Sequence, residues 1–174
     1  MTIVVYTTIV LTRIMVGLVA RELKQKRPFT SPEHEVLLGL QIVAARIMEP
    51  WEQFLKNHGD LTLHQYNVLR ILRGSHPAGL PSGEIATRMI ARDPDITRLV
   101  DRLEKRDLVT RFRGRQDRRV VEVMITEKGL KLLRSLDQHV DRFPRHMLGH
   151  LGAKKVEQLR GLLEQALTNL GTFP

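Results

Sequence analysis

The 174-residue sequence predicts a mainly α chain carrying one small two-stranded hairpin, on three observations. Apolar residues recur at helical spacing behind recognisable capping residues in several segments. One pair of short runs, Leu108 to Phe112 and Val120 to Ile125, is instead rich in β-branched residues, with Val121, Val123 and Ile125 alternating. Between these runs lies Arg113-Gly114-Arg115-Gln116-Asp117-Arg118-Arg119, a turn in which Arg dominates.

The elements follow in order. Ser31-Pro32-Glu33 reads as an N-cap with proline in the first turn, and Val36, Leu40, Val43, Ile47 and Phe54 then mark one face of a long helix, kinked at Pro50 and stopped at His58-Gly59. Thr62 opens a second helix, with Gln65 at the capping-box spacing and Tyr66, Leu69, Ile71 and Leu72 as its apolar residues. Gly74 to Leu80 is a loop, after which Ser82 is expected to cap a short helix from Gly83 to Ile90. A turn through Ala91, Arg92 and Asp93 leads to a helix from Pro94 to Asp107, with Asp93 as N-cap.

On a wheel of 3.6 residues per turn, Ile96, Leu99, Val100 and Leu103 share one face of that helix, and Pro94, Arg98, Asp101, Arg102 and Lys105 the opposite one. Two short helices joined by a tight turn, the second basic on its outer face, are what a helix-turn-helix requires. Alone, the pattern also describes a solvated amphipathic helix. The Arg-rich hairpin adds the missing half: a tip so basic repels itself unless phosphate or a minor groove neutralises it. From Arg88 to Arg119 eleven Lys or Arg stand against six Asp or Glu, a net +5 of the chain's +9.

Thr126-Glu127-Lys128-Gly129 starts a long helix carrying Leu130, Leu133, Leu136 and Val140, expected to break near Pro144 and again at Gly149 to Gly152. A last amphipathic helix spans Ala153 to Leu170. A winged helix-turn-helix core has little room for these stripes, so their simplest burial is against a second copy across a two-fold axis; folding back on their own chain is the alternative. The expected architecture is therefore one folding unit: a winged helix-turn-helix with a two-stranded wing (about 60–127), flanked by dimerisation helices (about 31–58 and 127–170) and preceded by an apolar and basic extension (1–30).

Composition narrows the function. A pI near 10.5 calls for a polyanionic partner, and aromatic residues at 5% are too few to stack unpaired bases, which favours duplex DNA. The absence of cysteine excludes disulfides, Cys-ligated zinc and thiol sensing, and suits the cytoplasm. No phosphate-cradling loop, metalloprotease helix or nucleophile elbow points to an enzyme, and no cofactor is implied. Ile3 to Ala20 is apolar and precedes Arg21, Lys24, Lys26 and Arg27. Arg13 near its centre, costing roughly 2.5–3.5 kcal/mol in a bilayer, argues against a membrane anchor. A loose or packed extension, from a mis-assigned start, and an added dimer helix are the other two readings.

The ordered set Leu61-Thr62-Leu63-His64-Gln65-Tyr66-Asn67-Val68-Leu69, Asp95 to Glu104, Leu108-Val109, Asp117-Arg118-Arg119 and Thr126-Glu127-Lys128-Gly129 resembles the MarR family of regulators over roughly Glu33 to Leu170. Asp107 stands where the family usually has glycine, Pro81 and Gly83 make the preceding helix entry unusual, and Ile3 to Ala20 has no counterpart. The resemblance implies a homodimeric, DNA-binding transcriptional regulator, expected to be a repressor, whose lobes read successive major grooves of a pseudo-palindrome. It implies that Pro94, Asp95, Thr97, Arg98, Asp101 and Arg102 on the reading helix meet DNA, with Thr97 and Arg98 at bases or phosphates and Arg102 at the backbone. Arg113, Arg115, Asp117, Arg118 and Arg119 complete the set, Asp117 bracing the wing against an arginine of the reading helix and Arg118 or Arg119 entering the minor groove. It also implies a small aromatic or phenolic effector in a cleft that Trp51, His64 and Tyr66 would line, packing in the core being the alternative for each. Two rival readings are a winged-helix protein-interaction module that binds no specific DNA, and a metal-responsive regulator using His139, His146 and His150, which share a face if the helix is unbroken.

Overall fold

The computed structural model describes residues 17–90, 95–113 and 121–170. They divide between two compact units, 1–50 and 51–174. The boundary lies inside a helix because the first half of that helix packs little of its apolar face: Val36, Leu37, Leu40 and Val43 are all exposed.

In the first unit, α1 (Leu18–Glu22) is followed by the opening turns of α2 (Pro32–Gly59), which runs through Pro50. Ser31 caps α2 as expected, its hydroxyl accepting from the His34 amide at 3.2 Å. Gly39 gives α1 its seat, since a Cβ there would come within 3.2 Å of the Val19 side chain.

The second unit begins with the last turns of α2 and continues through α3 (Leu63–Ser75), β1 (Leu80–Pro81), α4 (Ser82–Arg88), α5 (Ile96–Glu104), β2 (Val109–Arg113), β3 (Val121–Ile125), α6 (Glu127–Leu148), a 3-10 turn (Gly149–Leu151) and α7 (Gly152–Thr168). Thr62 and Gln65 form both bonds of the capping box that opens α3. Leu55, Leu69, Leu72, Ile85, Val100, Leu103, Val123, Ile125 and Leu133 build one core under the sheet and helices. The apolar periodicity pointed to these faces, because burying them is what makes short helices stable.

Four local expectations change. The two-stranded wing forms from β2 and β3, and a third antiparallel strand joins it at the edge in the order β1-β3-β2, with Leu80 opposite Val123 and Pro81 opposite Glu122. A two-residue strand ending in proline carries no alternation to read, and proline is tolerated there because β1 is an edge. Ser82 is the first residue of α4, whose cap position is Pro81 with no side-chain bond, and the helix ends at Arg88, not Ile90. The reading helix α5 starts two residues later than expected and ends at Glu104: Asp95 accepts from the Arg98 amide, while Asp93 and Pro94 lie outside the described residues. Finally, α6 is not interrupted at Pro144.

Candidate nucleic-acid interface

The reading helix is placed from below. Ile96, Leu99, Val100 and Leu103 are buried, which turns Thr97, Arg98, Arg102 and Lys105 outward as an exposed row. Arg98 is 78% exposed yet oriented: its Nε lies 2.9 Å from Asp95 Oδ2, while Asp95 Oδ1 accepts from the Arg98 amide at 3.1 Å. One carboxylate thus caps the helix and poses the guanidinium beside its N-terminus, where the positive end of the helix dipole adds to the attraction for phosphate.

The exit of α5 is fixed by backbone chemistry. Asp107 takes φ 56°, the left-handed conformation the sequence demanded of a residue in glycine's usual place, and Leu108 N donates to Leu103 O at 3.0 Å. Thr126 then joins this exit to the wing. Its hydroxyl donates to Asp107 O at 2.6 Å and accepts from the Gly129 amide at 3.1 Å, and its own amide donates to Leu108 O at 3.1 Å. A Cβ on Gly129 would stand 2.4 Å from that same Leu108 oxygen. The Thr-Glu-Lys-Gly motif is therefore a clamp on the end of the reading helix as well as a helix start.

The residue that sequence reasoning missed is Arg111. From β2 its guanidinium reaches Glu104 Oε2 at 2.6 Å, Asp101 Oδ1 at 2.5 Å and the Thr97 carbonyl at 3.3 Å, and its amide donates to Glu104 Oε1 at 3.1 Å. Asp101, expected among the DNA contacts, has its carboxylate on Arg111. This brace between wing and reading helix has its arginine on the strand and its acids on the helix; the brace expected of Asp117 lies outside the described residues. Opposite charges seven and ten residues apart on different elements leave no periodic signal. Arg111 is 27% exposed and its partners are more open, so Arg111→Met should cost about 1–2 kcal/mol, read as a lower Tm, with weakened DNA binding from the unbraced helix.

Arg113 is exposed at the end of β2, opposite Val121. Pro94 and the tip residues Arg115, Asp117, Arg118 and Arg119 lie outside the described residues.

A cleft of about 660 Å³ lies between the last turns of α2, the start of α3 and the second half of α5. Lys56, Arg102, Lys105, Arg106 and His64 line it with the acids Glu52 and Asp60. Arg106 also donates to the Gly59 carbonyl at 2.9 Å and to the Asp60 carbonyl, tying the reading helix to the end of α2. Of the three expected cleft residues only His64 is there. Trp51 and Tyr66 are buried edge-to-face at 5.6 Å in the core, and burial pushes the Tyr66 hydroxyl above its ordinary pKa. Their rings carry the most apolar area in this segment, so the core claims them first.

His139 packs 4.7 Å from the Phe54 ring, and His150 leaves the α6 wheel in the 3-10 turn. Among the described residues no group of three or more His, Asp and Glu is arranged to hold a metal ion, and no helix is long and apolar enough to cross a membrane.

A capped, outward-basic helix beside an antiparallel wing defines a winged-helix DNA-binding protein. The sequence profile of the MarR family matches residues 61–121. The regulator MhqR of Bacillus subtilis is 31% identical over 149 residues, covering 80% of this chain and 97% of the relative, and the repressor IacR of Pseudomonas putida is 34% identical over 133 residues, covering 75% and 77%. A crystal structure of a MarR transcription factor from Planctomyces limnophilus is 42% identical, covers 80% of this chain and all of that one, and superposes with a TM-score of 0.58. The Staphylococcus aureus MepR–DNA complex, at 23% identity and a TM-score of 0.67 over 74% of this chain and 93% of that one, shares the fold. The chain belongs to the MarR family of transcriptional regulators.

Proposed function

We propose that the chain is a homodimeric repressor that binds a pseudo-palindromic duplex operator in the cytoplasm and releases it on binding a small anionic, aromatic or phenolic effector. The observation that carries the reading is the outward row Thr97, Arg98, Arg102 and Lys105 on a helix whose first arginine is posed by its own cap. Arg98 reads bases, Arg102 holds the backbone, and the wing arginines Arg113, Arg115, Arg118 and Arg119 add phosphate and minor-groove contacts. Repression, as opposed to activation, is supported by the repressor role of relatives such as IacR.

The dimer is supported by apolar faces left exposed among the described residues. On α7 no residue is buried, and Leu162, Leu163 and Leu167 are exposed at helical spacing; Val36, Leu37, Leu40 and Val43 repeat the pattern on α2. Residues 31–58 and 127–170 then serve as dimerisation helices around a DNA-binding lobe at 60–127, and the two-fold axis sets half-sites about 10 base pairs apart. Effector binding is supported by the cleft, where four Lys or Arg outnumber two acids and an anion bound at Arg106 or Arg102 would pull directly on the reading helix.

The test is Arg98→Ala on an operator obtained by in vitro selection. Loss of the guanidinium should reduce preference for the operator over random duplex by about 1–3 kcal/mol, roughly 5- to 150-fold, with random binding little changed. Arg115→Ala should instead weaken both alike and flatten the salt dependence. Equal losses on operator and random DNA in Arg98→Ala would refute base reading by this helix.

A further inference from the structure

Nearly all of the excess positive charge sits in two segments. Residues 88–119 hold +5 of the net +9; residues 17–31 hold another +3, from Arg21, Lys24, Lys26 and Arg27 against Glu22, which leaves +1 for everything else. The first segment is the reading helix and wing. The second precedes the part of the chain that resembles other family members, and no role has been given to it.

These four cations differ from most other arginines among the described residues. Arg46, Arg73, Arg88, Arg111, Arg134 and Arg160 each face a carboxylate. Arg21, Lys24, Lys26 and Arg27 are all exposed, and among the described residues none of them forms an ion pair. The only acid in the run, Glu22, is taken by Arg46 from α2. Nor is the run a loose tail. Ala20 is buried, Val19 lies over Gly39, and α1 ends in a bonded turn in which Gln25 N donates to Ala20 O at 2.8 Å. Lys24 holds the left-handed position of that turn at φ 50°, where glycine would be unstrained but would bring no charge.

Four uncompensated cations within seven residues, carried on a packed turn, repel one another until a polyanion neutralises them. We propose that Arg21, Lys24, Lys26 and Arg27 form a second, sequence-independent phosphate-binding site for duplex DNA, separate from α5 and the wing. The proposal rests on the reading of the chain as a DNA-binding regulator. It fits duplex phosphates better than a lipid surface: Arg13 interrupts the apolar stretch that precedes the run in the sequence, and among the described residues of α1 and its turn only Leu18 and Leu23 are exposed large apolar side chains, far short of the apolar face an interfacial helix buries.

The experiment compares the full chain with the variant Arg21→Gln, Lys24→Gln, Lys26→Gln, Arg27→Gln on operator and random duplexes between 50 and 200 mM salt, with far-UV circular dichroism and Tm as controls for the fold. Each lost phosphate contact should reduce the slope of log affinity against log salt by about 0.9 per protomer. With two to four contacts engaged, parent affinity should fall over that range by roughly 10- to 150-fold more than the variant's, while the operator-to-random ratio stays the same. Replacing Lys24 and Lys26 by arginine should keep the parental slope.

An unchanged slope in a folded variant overturns the site. So does an unchanged slope accompanied by loss of binding to vesicles containing anionic phosphatidylglycerol, which would assign the run to a membrane instead. A parent chain with no salt-dependent duplex binding would overturn the regulator reading and this site together, whereas normal parental binding with no change in the variant removes this site alone.

Discussion

Leu103→Ala should destabilise the protein by about 2–5 kcal/mol, the largest effect expected of any single change to the reading helix. Leu103 is fully buried, sits on the inner face of α5, and supplies the carbonyl that accepts from Leu108 N where the helix ends. Removing its side chain takes away the transfer energy of the deleted carbons and leaves a cavity between α5 and the core that the clamped exit of the helix cannot collapse to fill. Urea titration at fixed protein concentration should show a lower midpoint with little change in slope, and Tm should drop by roughly 5–15 °C. A loss under 1 kcal/mol would mean that α5 is not held by this face. DNA binding measured well below the new Tm should fall less than in Arg98→Ala, because Leu103 faces away from the exposed row.

Gly129→Ala is the second. A methyl group there would meet the Leu108 carbonyl at 2.4 Å and Ile125 Cγ1 at 2.7 Å, and the first of these is backbone that rotamer changes cannot move. The shift required strains the Thr126 bonds to Asp107 and Leu108 as well, so a cost of about 2–3 kcal/mol is expected, at the upper end of ordinary overpacking. Gly74→Ala is the matched control. It lies in the last turn of α3 with open space where the methyl would go, and it should stabilise the fold by about 0.5–1 kcal/mol through helix propensity and a less flexible unfolded chain. Similar outcomes for the two in thermal unfolding would remove the steric argument.

The two predictions also separate what can be read in the letters from what cannot. The Gly129 motif was visible as a helix start, and Thr126 does cap α6; that its glycine makes room for the carbonyl of Leu108, twenty-one residues earlier, was not. The caps at Ser31, Thr62 and Thr126 were legible because each is a bond between residues three apart. The cap of α5 falls at Asp95, not at the expected Asp93, for the same reason in reverse: two aspartates two residues apart offer the same local signal. The break expected near Pro144 does not occur, and α6 accommodates the proline.

The candidate interface divides along the same line. The outer row of α5 and the basic hairpin were legible as composition and periodicity, and the left-handed place of Asp107 as a departure from the pattern of the family the chain resembles. Arg111, Arg106 and the edge strand Leu80–Pro81 were not, because their partners lie on other elements. Trp51 and Tyr66 were candidates for a cleft through the family resemblance, and the core took them because large apolar rings gain more by full burial than by lining a polar opening.

By itself, then, the sequence determined the class of fold, the order of its helices, the side of the reading helix that faces out, and the sign of the partner's charge. All of these follow from interactions within one turn of helix or from summed charge, which distance along the chain records faithfully. The tertiary structure decided which arginine braces the wing, which aspartate caps the reading helix, and which aromatic rings are withdrawn from the surface. Those outcomes depend on competition for the same buried volume and the same carboxylates among segments that meet only after folding.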